Sequence, residues 1–261
     1  MASIQFCSDL HLEYQPDRTD FDDLLKPAAP ILALLGDIGS PLYASYSNFL
    51  SYCSQRFQFV LVVTGNHEYF NSPGATEIWN KVEIDQLIEQ LCQSYPNVVF
   101  MQKKSRVVKL PNHSYRFIGA TLWSNIPSEH FQALTHYMID YRQIYQNDKV
   151  VTPAETNQWH RDEVAFLQRE LKKAQAKGQT AIILTHHTPL IQGTSHPRFH
   201  GNVSNFAFST DLSHLFRNIK YWLCGHTHFN FAIDCQGTMI ISNQHGYRTT
   251  DSYQPDLALT L

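Results

Sequence analysis

Short apolar runs alternate along the chain with longer stretches whose apolar positions recur at helical spacing, and this alternation predicts an α/β fold. Residues 4–8, 31–35, 59–64, 115–120, 180–185, 221–224, 231–234 and 239–242 read as strands, of strand length and mostly rich in β-branched or aromatic side chains. Residues 45–56, 78–93, 156–177 and 211–217 read as helices. The third of these carries its own punctuation: Thr152 stands before Pro153 with Glu155 three residues on, and Lys177-Gly178 supplies a basic last turn and a C-cap glycine. The early β-α-β-α-β order calls for parallel strands with helices packed outside them. The later chain has more strands than helices, so the expected architecture is two facing mixed sheets with helices on the outer faces. No repeat or linker divides the chain, which reads as one domain over 1–261 with the least regular and most aromatic stretch, 123–155, as a candidate lid or cap insertion.

Composition narrows the function classes. At 261 residues, 43% apolar and only 16% charged, the chain has material for a buried core and too little charge for a disordered polyelectrolyte. Twenty basic residues against 23 acidic ones, with no run of five like charges, offer nothing global to nucleic acid or anionic lipid. The longest apolar runs fall far short of the ~20 residues a spanning helix needs, so no membrane partner is expected. A basic segment followed by a long apolar one is missing from the first residues, and a cytoplasmic location is the expectation. Five cysteines, an odd number with no CxxC spacing, argue against a disulfide framework and a thiolate zinc site. Histidine stands out instead, with 14 in the chain.

The chemistry sits where strands end. Ser8-Asp9-Leu10-His11, Gly36-Asp37, Gly65-Asn66-His67-Glu68, His186-His187 and Gly225-His226-Thr227-His228 each follow an apolar run. Loops at the carboxyl ends of strands in open α/β sheets converge on one crevice, so these clusters are expected to meet. Asp9 and His11, two apart on an extended segment, project to one side and can chelate one cation, and His226 and His228 repeat the spacing. Asp37 arrives on a glycine turn and is placed to bridge two cations, while Asn66 adds a neutral oxygen. Two carboxylates, one amide and four imidazoles suffice for two cations with open positions, the arrangement that clamps both oxygens of an in-line displacement at phosphorus. Oxygen and imidazole donors without thiolate favour Mn, Fe, Zn or Co. Any one of these motifs alone is commonplace; all five in order, each after a strand, are not.

Together the five motifs resemble those of the calcineurin-like metallophosphoesterase superfamily over about residues 3–245. The resemblance implies a four-layer α/β/β/α sandwich and a dinuclear centre of divalent or trivalent ions, Mn or Fe favoured, with a metal-bridging hydroxide as nucleophile. It implies that Asp9, His11, Asp37 and His228 hold one metal, and that Asp37 bridges to a second held by Asn66, His186 and His226. His186 is preferred over His187 because it follows the strand directly. His67 matches the residue that contacts the phosphoryl group and protonates the leaving oxygen. One departure from the usual pattern is Thr188, which separates His187 from Pro189.

Secondary candidates surround this set. Glu68 is open to orienting His67 or capping a following helix, and Tyr14 to lining the pocket. Asn66, His67, His187, Arg198 and Asn205 are candidate substrate contacts, with His200 in the same polar loop, and Trp123, Tyr137, Tyr141 and Tyr145 are candidate aromatic walls. The function expected is metal-dependent hydrolysis of a small phosphomonoester or phosphodiester. The alternatives are a nuclease-like phosphodiesterase, for which Lys103, Lys104, Arg106 and Lys109 form only a short basic strand region, and a non-catalytic metal-binding scaffold. The sequence leaves the substrate and the oligomeric state open.

Overall fold

A computed structural model describes residues 2–110, 113–247 and 252–261. In chain order the strands are β1 Ser3–Cys7, β2 Ile31–Leu35, β3 Phe59–Val63, β4 Val98–Phe100, β5 Lys104–Leu110, β6 His113–Ala120, β7 Tyr145–Gln146, β8 Lys149–Val150, β9 Thr180–Thr185, β10 Ile219–Cys224, β11 Ala232–Cys235, β12 Thr238–Ser242 and β13 Ala258–Thr260. The helices are α1 Ala44–Ser54, α2 Lys81–Gln93, α3 Phe131–Tyr137, α4 Asp140–Gln143, α5 Pro153–Ala176 and α6 Asn205–Phe208.

Two mixed sheets face each other. The first runs β13-β1-β2-β3-β4 and the second β11-β12-β10-β9-β6-β5. Parallel pairing occupies the middle of both, and antiparallel strands β13, β11 and β5 close three of their edges. Side-chain alternation explains why the central strands read as unbroken apolar runs, since strands covered on both faces need apolar residues at every position. In β2, Ile31, Ala33 and Leu35 enter the core between the sheets while Leu32 and Leu34 pack with Phe49 of α1 and Ile84 and Ile88 of α2. In β9, Ile182 and Leu184 enter the shared core while Ala181 and Ile183 pack with Leu167 and Ala174 of α5. The order is therefore α/β/β/α.

Three readings need correction. Residues 211–217 hold only a single 3-10 turn at Ser213–Leu215, because the Asp211 carboxylate captures the Ser213 N–H at 2.9 Å and favours a local turn over a helix. α2 starts at Lys81, where Asn80 and Glu83 form a capping box, and not at 78. β4, β5 and β13 belong to the sheets, although only β5 carried any strand signal. The stretch 123–155, read as the least regular, holds only the short α3 and α4 and the two-residue strands β7 and β8 before α5 begins.

α5 begins at the predicted box, with Thr152 Oγ1 accepting from Glu155 N at 3.4 Å and Glu155 accepting from Thr152 N at 2.8 Å. It also buries an acid. Glu163 accepts from Gln102 Nε2 at 2.6 Å, and burial pushes its carboxyl up to about 7 against the pull of Lys81. Its folded pKa thus exceeds its unfolded one, so the native state binds the proton more tightly. The resulting stability is complete below the unfolded value of about 4.5 and is lost as pH rises through about 7. Glu163→Gln is expected to stabilise the protein at pH 8 by up to about 3 kcal/mol while changing little at pH 4.5. Urea unfolding at both pH values measures this, and an equal change at the two would refute it.

Candidate metal centre

Each predicted ligand lies in the turn after its strand, and five of them take a backbone conformation uncommon for residues with a side chain. Asp9, His11, Asp37, His226 and His228 all have positive φ, between 50° and 75°. That turns the backbone sharply at the strand end and aims the side chain back over the sheet edge. Such strain persists where surrounding bonds over-determine it. Here Asp9 N donates to Gly36 O at 3.0 Å, His11 N to Asp37 O at 3.0 Å, Gly225 N to His186 O at 2.9 Å and His228 N to Gln244 Oε1 at 2.6 Å.

The five clusters meet. Asp9, His11 and His228 place ligand atoms within 4.8 Å of one another, as do Asp37, His186 and His226, and a third group of His11, Asp37 and His67 joins the two. His228 Nε2 lies 3.3 Å from Asp9 Oδ1 and 3.0 Å from His11 Nε2. His186 Nε2 lies 3.3 Å from Asp37 Oδ2 and 3.1 Å from His226 Nδ1. His186 Nδ1 donates across the sandwich to Leu35 O at 2.8 Å, which turns Nε2 toward the cluster.

Glycine has a steric role here. A Cβ on Gly65 would stand 2.2 Å from Asp37 Oδ1 and 2.7 Å from His186 Nε2. Gly65→Ala is expected to bind less metal than wild type by elemental analysis and to cost about 1–3 kcal/mol of stability through overpacking. Wild-type metal content in that variant would show that the loop can withdraw.

The donors fit cations. Among the described residues Asn66 Oδ1 is buried without a hydrogen-bond partner, as a ligand atom would be, and His226 turns Nδ1 toward His186 Nε2 in the cluster. Burial opposes ionisation of Asp37, but His186 and His67 outweigh it and hold the carboxyl well below its usual range. Burial likewise holds the His226 and His187 rings neutral. For His186 the carboxylates of Asp37 and Asp9 overcome burial and raise it to about 9, so a metal bound there would displace a proton.

His67 lies beside the cluster with Nε2 4.0 Å from Asp37 Oδ2 and its backbone N donating to Asp37 Oδ1 at 2.9 Å. A cavity of about 430 Å³ opens over Asp37, Asn66, His67, His226 and His228, walled by Phe70, Tyr137, Ile139, Phe199 and Tyr247, with Arg198 and His196 on its lining. His187 stacks behind His226 at 4.1 Å, bonds Ser124 Oγ at 2.8 Å and does not line this cavity. Asn205 instead donates to Phe199 O at 2.7 Å, and His200 stands off the lining. Of the aromatic candidates only Tyr137 reaches the wall. Trp123 is buried against Tyr69 and Trp159, Tyr141 is buried and bonds Thr156, and Tyr145 lines a neighbouring cavity. Tyr14, largely exposed, borders a separate cavity beside His67. Glu68 neither orients His67 nor caps a helix: it accepts from the backbone N of Asp37, Ile38 and Gly65, tying the second and third motif loops together.

Four residues escaped the sequence reading. Glu13 and Tyr247 bracket His67, Gln244 holds the His228 backbone, and Asp140 of α4, buried and raised to about 6 by desolvation, accepts from the Asn66 amide. This last contact holds the Asn66 amide nitrogen, and Asn66 Oδ1 takes no hydrogen bond among the described residues. α4 thus holds a candidate ligand, and among the described residues none of 123–155 belongs to a ligand group.

Residues 2–230 match the sequence profile of a family described as calcineurin-like phosphoesterase. An uncharacterized protein of Acanthamoeba polyphaga mimivirus, L509, is 32% identical over 267 residues, covering 95% of this chain and 92% of its own. The crystal structure of phosphopantetheinyl hydrolase (PptH) from Mycobacterium tuberculosis is similar in fold at TM-score 0.72 and 19% identity, covering 94% of this chain and 90% of that one. TT1561 of Thermus thermophilus is similar at TM-score 0.54 and 15% identity, covering 93% and 89%.

Proposed function

The chain belongs to the calcineurin-like phosphoesterase family, and from that premise we propose that this phosphoric ester hydrolase acts on small-molecule phosphoesters at a centre of two metal ions. The observation that carries the reading is the pair of candidate ligand clusters, Asp9/His11/His228 and Asp37/His186/His226, set side by side with Asn66 Oδ1 unpartnered among the described residues. Asp37, which belongs to ligand groups with both His186 and His11, would hold cations at both positions. Two cations there would draw the phosphoryl oxygens together and neutralise the charge that develops at phosphorus.

The protein's own groups do the rest. His67 presents Nε2 to the cavity and gives a proton to the leaving oxygen, while the aromatic wall limits water around that bond. Arg198, an arginine on the lining, meets a second anionic group of the substrate. A small-molecule substrate is supported by the cavity volume, within the ~300–1,000 Å³ usual for small-ligand sites. The nuclease alternative lacks a basic groove: Lys104 pairs with Glu89, and none of Lys103, Lys104, Arg106 and Lys109 lines the cavity. No helix among the described residues is long and apolar enough to cross a membrane.

Chelated protein is expected to be inactive, and Mn²⁺ to restore hydrolysis across a panel of nucleotides, cyclic nucleotides and model mono- and diesters. Full turnover with elemental analysis showing no bound metal would end this reading.

A further inference from the structure

His11 and His67 come from different loops, yet their Nδ1 atoms meet the same acceptor. Glu13 Oε1 lies 2.9 Å from His11 Nδ1 and 2.9 Å from His67 Nδ1. A carboxylate oxygen carries two lone pairs and can accept both N–H groups at once. The two rings meet edge to face at 4.5 Å, and the Glu13 side chain is mostly buried on the turn Leu12–Tyr14 that follows His11. With both Nδ1–H groups anchored, both Nε2 atoms are directed elsewhere. His11 Nε2 points to His228 Nε2 at 3.0 Å, within the metal cluster. His67 Nε2 points to the Tyr247 hydroxyl at 3.1 Å, on the cavity.

We propose that Glu13 is a positioning residue that, through one shared carboxylate oxygen, fixes the ring direction of a metal ligand and of the proton donor together. The inference rests on the reading of His67 as the group that protonates the leaving oxygen. In that step the His67 Nε2–H bond breaks and an O–H bond forms on the departing alcohol, while Nδ1–H stays on Glu13. Without the shared acceptor both rings are free to turn about their side-chain torsions. Ligand direction and proton delivery are then lost together.

The test compares wild type, Glu13→Gln, His67→Ala and the double variant. Glutamine keeps the size of glutamate, but its single carbonyl oxygen is neutral and its amide group repels an N–H donor. Mn²⁺ binding by calorimetry on chelated protein is expected to weaken by about 10- to 100-fold in Glu13→Gln, the range for partners of ligand histidines. At saturating Mn²⁺, turnover of an alkyl phosphoester should fall at least about tenfold more than that of its nitrophenyl counterpart, because only the poor leaving group needs the proton. The double variant should lose no more alkyl-ester turnover than His67→Ala alone. Should Glu13→Gln fail to fold, Glu13→Asp serves the same comparison with a shortened carboxylate and should shift the ester ratio in the same direction. Equal losses on both esters, unchanged Mn²⁺ affinity, or additivity with His67→Ala would overturn the proposal. Wild type that hydrolyses neither ester with Mn²⁺ would overturn the proposed function itself, and this inference with it.

Discussion

Asp37→Asn is expected to yield a folded protein that holds fewer than two metal ions and has lost activity by about 10³-fold or more, since electrostatic stabilisation by bound cations contributes several kcal/mol at about 1.4 kcal/mol per tenfold. Folding should survive, because an Asn oxygen can still accept the His67 N–H that Asp37 Oδ1 now takes at 2.9 Å. The missing charge cannot be replaced. Asp37 lies buried between the two ligand groups, belonging to one with His186 and His226 and to another with His11 and His67. Asn66→Asp keeps an oxygen where Oδ1 now stands and adds a charge, so it should damage metal binding less. Elemental analysis of both variants decides the comparison. Two metals per chain in Asp37→Asn would place the bridge on another residue.

His67→Ala should retain its metals and lose rate in a manner that depends on the leaving group. Positioned acid catalysis is typically worth ~10² to 10⁴-fold, and the loss should approach that range for an alkyl ester. For nitrophenolate, a good leaving group that needs no proton, the loss should be small. His67 donates no ligand atom to either of the two groups Asp9/His11/His228 and Asp37/His186/His226, which is why metal content should hold. Equal losses on both esters would mean that His67 binds the phosphoryl group without delivering a proton.

The strands were legible because a strand covered on both faces must be apolar at every position, and residues 31–35 and 180–185 announce themselves at those bounds. β13 was not, because three residues at the far end of the chain become a strand only by pairing with Ser3, Ile4 and Gln5. The aromatic stretch misled in a related way. Tyr137, Tyr141 and Tyr145 share a spacing but not a helix: α3 ends at Tyr137, and the three side chains go to the cavity wall, the core and a separate cavity. Trp123 sits at φ 37° in a turn clamped by His160, whose Nδ1 lies 2.9 Å from Leu122 O and 3.0 Å from Trp123 O, and so faces inward.

The sequence by itself determined the fold class and the roster of candidate ligands, since both follow from local pattern: apolar periodicity along a strand, and side chains with the right donor atoms in the few residues after it. Tertiary structure decided how those side chains are held. Glu13 meets His67 across 54 residues and Tyr247 meets it across 180, so no window of sequence contains either contact. An isolated Glu, Tyr, Gln or Asp carries no mark of what it will accept from or donate to. That depends on where two sheets bring their strand ends together, and on donors and acceptors taken out of water there having to find one another.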